Sequence, residues 1–150
     1  MSDKQRGYVH RVDILARAGD VWEALTETGQ ITQWCAPDAQ ISARRGGLFR
    51  ASVDRLTELE AHIDVFDPPQ RLRLIYLPSS ALPPADTVMV DDFILESAPR
   101  GTIVRLLGSG ISVAPKWDTQ YRRLRTGWQQ ALHRLKIFVE QRHTRTGAPP

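Results

Sequence analysis

The stretch from Asp118 to Arg142 limits what this chain can fold into more than any other. Tyr121, Leu124, Trp128, Ala131, Leu132, Leu135, Phe138 and Val139 recur at three- and four-residue steps, the period of a helix with one apolar face. Arg122, Arg123, Arg125, Gln129, Gln130, His133, Arg134 and Lys136 fill most of the opposite face. At 1.5 Å per residue such a helix is on the order of 37 Å long, about the width of a small domain. Its apolar face is broad, and only a large sheet would cover it.

The rest of the chain reads as that sheet. Tyr8 to Leu15 alternates, with His10, Val12 and Ile14 on one face. Val21, Trp22, Ala24 and Leu25 suggest a short helix with Asp20 as its N-cap, ended by Thr28-Gly29. Ile31 to Trp34 reads as a second short helical piece, stopped by Pro37. Strands are then expected at Ile41 to Ala43 and Leu48 to Asp54, around the turn Arg44-Arg45-Gly46-Gly47. Leu59, Ala61, Ile63 and Val65 alternate with Glu58, Glu60, His62 and Asp64. After a turn at Asp67 to Gln70, Leu72, Leu74 and Tyr76 form the inner face of the next strand. Pro78 to Thr87 is a proline-rich loop. Met89, Phe93 and Leu95, then Thr102, Val104 and Leu106 beyond the turn at Pro99 to Gly101, complete the pattern. Gly108 to Lys116 reads as a second flexible loop, and His143 to Pro150 as a flexible tail. The fold class is therefore α+β: a seven-stranded curved antiparallel sheet wrapped around a long C-terminal helix, with two short helices after strand 1. One domain spans 1–150, with its ordered core at about 8–142.

Parity then places a site. Alternate connections of a meander lie at the same end of the sheet, so Cys35–Ala39, Asp54–Thr57, Pro78–Thr87 and Gly108–Lys116 should meet beside the start of the long helix. That end is the expected mouth of a cavity between helix and sheet. Trp34, Phe49, Tyr76, Met89, Phe93, Trp117, Tyr121, Leu124 and Trp128 are the candidate ligand-binding residues, each also open to a purely structural role in the core. Gly127 costs about 1 kcal/mol inside a helix relative to alanine, so close packing or room for a ligand should offset it.

Catalytic and metal chemistry find little support in the residues. Cys35 is the single cysteine, which excludes an intrachain disulfide and a cysteine metal cluster, and no histidine lies near it in sequence. His10, His62, His133 and His143 show no ligand spacing, so no metal and no cofactor are expected. Arg45-Gly46-Gly47 is too short to cradle a phosphate. Asp91 and Asp92 are the best acid–base candidates. Asp91 shares its alternation with Met89, Phe93 and Leu95 and should point inward near the mouth, with Arg55 or Tyr76 as its partner; the alternative is a solvated strand end. A net charge of +3 spread over an amphipathic helix reads as a solvated face, not as a nucleic-acid surface. The polar opening, Met1 to Arg6, is followed by no apolar run, so neither a leader nor a membrane span is expected and a cytoplasmic protein is.

Several local motifs carry a resemblance. They are Ala18-Gly19-Asp20-Val21-Trp22-Glu23-Ala24-Leu25, Ile31-Thr32-Gln33-Trp34-Cys35-Ala36-Pro37, Gly46-Gly47-Leu48-Phe49, Val65-Phe66-Asp67-Pro68-Pro69-Gln70-Arg71-Leu72, Gly101-Thr102 and Gly127-Trp128 followed by Leu132 and Leu135-Lys136. In order and spacing, over about residues 8 to 140, they resemble the START/SRPBCC superfamily, the helix-grip fold of the birch pollen allergen type. Within it the chain looks similar to bacterial proteins related to the C-terminal domain of the heat-shock protein 90 ATPase activator. The resemblance implies a hydrophobic cavity between sheet and helix that binds a small hydrophobic or aromatic molecule, such as a lipid or polyketide. It leaves two alternatives: a polyketide cyclase/aromatase-like enzyme using Asp91 and Tyr76, and a co-chaperone-like stress-response protein, the latter by analogy alone. A homodimer stays open. The chain departs from the pattern at Cys35-Ala36 and at Leu56-Thr57-Glu58, both near the expected mouth.

Overall fold

A computed structural model describes residues 4–53 and 57–145. Seven strands form one antiparallel sheet: β1 (Gln5–Ile14), β2 (Gln40–Ile41), β3 (Leu48–Val53), β4 (Thr57–Asp67), β5 (Arg71–Tyr76), β6 (Val90–Ala98) and β7 (Gly101–Ser112). Their order across the sheet is β1-β7-β6-β5-β4-β3-β2, a meander closed by β1 beside β7. Two short helices, α1 (Ala18–Thr26) and α2 (Thr28–Trp34), follow β1, and a 28-residue helix, α3 (Asp118–Arg145), ends the described chain.

Amphipathic patterning drives the assembly. Leu124, Trp128, Ala131, Leu132, Leu135 and Val139 of α3 are all buried. They pack on Leu59, Ala61, Ile63, Leu72, Leu74, Phe93, Leu95, Val104 and Leu106 from the inner face of the sheet. The outer face stays polar and neutralises itself. Arg71 pairs with Asp92 (2.7 Å), Arg73 with Asp64, Arg105 with Glu96, and Arg50 with Glu60 (3.1 Å). Asp92, a candidate acid on sequence grounds, thus belongs to an outward ion pair.

The helix runs along β1. The Tyr121 hydroxyl donates to the Gly7 carbonyl (2.7 Å), His10 Nε2 lies 2.9 Å from the Arg125 carbonyl, Lys136 Nζ donates to the Asp13 carbonyl (2.6 Å), and the Leu15 N–H donates to Glu140 (2.8 Å). These bonds cover what would otherwise be an open edge of the sheet.

Several expected boundaries shift. Gly108 to Ser112 is not loop: β7 continues to Ser112 and pairs with β1 back to Gln5. The chain then passes through Val113 and Ala114 into a single 3-10 turn, Pro115–Trp117. Helix α3 runs to Arg145, so the first residues of the expected tail are helical, while 146–150 lie outside the described residues. Helix α1 begins at Ala18 with Arg17 at the cap position, which places Asp20 in the first turn. Thr28-Gly29 opens α2 instead of ending α1. Strand β2 is only Gln40–Ile41. Finally, the β4–β5 register slips between Ile63 and Val65. This bulge turns Phe66, not Val65, toward the core, where its ring meets Trp22 edge-on at 5.4 Å.

Candidate functional site

Two features lie between sheet and helix: a buried acid cluster and an apolar cleft. The cluster centres on Asp91, which β6 points inward in alternation with Phe93 and Leu95. It is only 2% exposed. The Tyr8 hydroxyl donates to one carboxylate oxygen (2.6 Å) and the Tyr76 hydroxyl to the other (2.7 Å). Tyr76 sits on the adjacent strand β5, whereas Tyr8 reaches across β7 from β1. The residue between them in register is Gly108, which opposes both Tyr8 and Asp91. A Cβ on Gly108 would lie 2.3 Å from the Tyr8 ring. The missing side chain is what lets the phenol lie flat over β7 and touch the acid.

Electrostatics follow from burial. Desolvation pushes the Asp91 carboxyl from 3.8 up to about 6, against the opposing pull of Tyr8, Tyr76 and the Trp128 indole N–H. Burial first, and then the facing Asp91 charge, raise both phenols well above 10.0. The indole nitrogen of Trp128 is buried and, although its N–H acts on Asp91, it completes no hydrogen bond among the described residues. Arg55, a partner considered for Asp91, lies outside the described residues.

The cleft opens on the other side of Trp128. It holds about 120 Å³ between β3–β4 and the middle of α3. Phe49, Ala51, Leu59, Trp128 and Ala131 make its apolar floor, and Ser52, Gln130, Arg134 and Cys35 its rim. Gln130, Ala131 and Arg134 lie three, four and seven residues after Gly127, so one face of α3 forms the wall. Gly127, the glycine inside α3, is one of the residues that border this cleft. Burial pushes the Cys35 thiol up to about 12, so it carries no charge near neutral pH.

The nine candidate ligand residues do not form one site. Phe49 and Trp128 line the cleft. Tyr76, Met89 and Trp117 line a separate groove of about 560 Å³, open to solvent beneath the 77–88 connection. Phe93 packs edge-on against Trp128 at 5.4 Å inside the core. Trp34 is buried under α1, its indole N–H donating to the Ala24 carbonyl (2.7 Å). Leu124 is core. Tyr121 faces β1 between the guanidinium groups of Arg6 and Arg125, 4.4 and 5.2 Å from its ring. Sequence reasoning did not single out Tyr8, Gly108, Leu59 or Arg134 as site residues. Tyr8 had a readable signal, since it shares parity with His10 and Ile14, but its contact with Asp91 runs through a segment read as loop. Among the described residues, no group of His, Cys, Asp and Glu is placed to hold a metal ion.

A family model described as Activator of Hsp90 ATPase homolog 1-like protein matches residues 15–140. The chain belongs to this family. Its helix-grip architecture is that of the SRPBCC superfamily, as the sequence motifs implied. Among solved structures, the chain is similar to protein MLL2253 from Mesorhizobium loti, with 24% identity and a TM-score of 0.78 over 91% of this chain and 98% of that one. It is also similar to the Aha1 dimer from Colwellia psychrerythraea, at 19% identity and a TM-score of 0.72, covering 90% of this chain and 96% of that one. DynU16, a protein of the dynemicin biosynthetic locus, matches at 21% identity and a TM-score of 0.66, over 95% of this chain and 48% of that one. At such identities the likeness is one of fold. No curated protein matches. Among the described residues of this family member, no helix is long and apolar enough to cross a membrane.

Proposed function

We propose that the protein binds a small aromatic or short apolar group in the cleft between β3–β4 and α3. The observation that carries this reading is the cleft itself, an apolar floor of about 120 Å³ walled by a helix that has a glycine at that point. An apolar cavity of about 150 Å³ is enough to take up benzene, whereas drug-sized ligands occupy roughly 300–1,000 Å³. The scale is thus one ring or a short chain. A whole lipid or polyketide would seat only part of itself there.

A second reading is acid–base chemistry by Asp91 and Tyr76, favoured by a buried carboxyl whose proton is held to about pH 6. The carboxylate is not among the residues that line the cleft. Both its oxygens are already engaged by phenols. Binding without chemistry therefore has the better support. The dimer named for the Colwellia protein makes a homodimer of this chain a further proposal, and the co-chaperone reading rests on the family description alone.

Titration with phenol or benzyl alcohol, followed by amide and indole NMR shifts, tests the binding reading. Shifts should centre on Gly127, Trp128 and Ala131. Ala131→Leu places a larger side chain in the cleft and should abolish them while thermal melting shows a folded protein. Equal binding by Ala131→Leu, or no shift in the unaltered protein, would reject the reading.

A further inference from the structure

The rim of the cleft is not neutral. Arg134 lines it from α3, one turn beyond Ala131. Its guanidinium is held in place by the end of α2: Nε donates to the Trp34 carbonyl (2.8 Å) and Nη2 to the Cys35 carbonyl (3.2 Å). Those two bonds satisfy carbonyls that a helix C-terminus leaves open. They also use only two of the five N–H donors of the group. Among the described residues, no carboxylate pairs with Arg134. Ser52 on the rim donates its N–H (3.1 Å) and O–H (2.5 Å) to Asp38, which directs that carboxylate to β3 and not to Arg134. Gln130, exposed on the same rim, adds an amide that can donate. The Cys35 thiol stays protonated and brings no competing negative charge.

From this arrangement we infer that the cleft selects an anionic ligand: a ring or short chain bearing a carboxylate, its apolar part on Phe49, Leu59 and Trp128 and its carboxylate on Arg134. The inference rests on the binding reading above and adds the chemical class of the ligand. A guanidinium oriented in advance loses little freedom on pairing, and a planar fork matches a carboxylate's two oxygens. The rim is open to water, so the pair remains partly screened and its effect on affinity is moderate.

The test compares phenylacetate with its neutral counterpart phenylacetamide at pH 7, by NMR titration of the unaltered protein, Arg134→Gln and Arg134→Lys. Phenylacetate should bind the unaltered protein about tenfold more tightly than the amide, a difference in the range of a charge-assisted hydrogen bond. High salt should shrink that preference. Arg134→Gln should bring the two affinities together, and Arg134→Lys, which keeps the charge, should retain part of the preference. If loss of the α2 contacts unfolds Arg134→Gln, the lysine variant and the salt series still decide. Equal affinities for acid and amide, both shifting Gly127 and Ala131, would overturn the inference and leave the binding reading standing. An acid preference that survives in Arg134→Gln would also overturn it. Failure of both compounds to reach the cleft would overturn both.

Discussion

Asp91 shows how one side chain can be well bonded and still be a burden. Two phenols donate to it, and hydrogen bonds to a charged acceptor are worth about 1.5–3 kcal/mol each. Removal from water outweighs them, and the carboxyl rises from 3.8 to about 6. The folded protein therefore holds this proton to a higher pH than the unfolded chain does. Between about pH 4 and pH 6 the native state binds more protons, and this group's contribution to stability falls as pH rises, by about 3 kcal/mol in all. Asp13, Asp38, Asp64 and Glu140 are shifted downward and pull the other way, so only a difference isolates Asp91. The melting temperature of the unaltered protein relative to Asp91→Asn should be most favourable near pH 4 and decline through pH 6. A difference that does not change with pH would show that Asp91 ionises at an ordinary value. Tyr76 was one of two possible partners beside Arg55, and only the fold selected it, whereas the inward aim of Asp91 was readable from alternation. The solvated alternative is ruled out by its burial, and Tyr8 was hidden because its partner lies two strands away.

Among the strands, β7 differs most from its sequence reading. Gly108-Ser109-Gly110 has the composition of a loop, yet both glycines are strand residues shaped by neighbours. Gly110 has φ +78°, and a Cβ there would lie 1.8 Å from the Val88 carbonyl. Gly108 leaves room for the Tyr8 ring. Glycine that serves close approach and glycine that serves a flexible turn look alike in one dimension. Gly108→Ala should cost roughly 1–3 kcal/mol by overpacking and should displace Tyr8 from Asp91. Denaturant unfolding measures the first effect, and the tyrosine's hydrogen-bonded hydroxyl resonance in NMR reports the second. Unchanged stability with that resonance intact would mean that β7 can shift to admit a methyl group. The bulge in β4 is a similar case. Strict alternation points Val65 inward, but one extra residue reverses parity and brings Phe66 onto Trp22.

Sheet and helix meet through Trp128. It touches Phe93 of β6, borders the cleft, and turns its N–H toward Asp91. Trp128→Ala should destabilise the protein by about 3–5 kcal/mol, as expected of a large buried aromatic. Thermal and denaturant melting measure this, and near-unchanged melting with lost phenol binding would make Trp128 a ligand residue and not a structural one. The same packing keeps the cleft beside Trp128 small. Trp128, Phe93, Leu132 and Leu135 fill the space that a wide grip would leave, and about 120 Å³ remains at the β3–β4 side. Period and alternation were enough to read the seven strands, the long helix and its buried face, because those patterns depend on near neighbours in the chain. The split of the candidate aromatics among cleft, groove and core was not readable that way, nor was the meeting of Tyr8, Gly108 and Asp91 or the seat of Arg134 on the end of α2. These depend on register and on which volumes are left unfilled, and both arise only when residues some hundred positions apart compete for the same space.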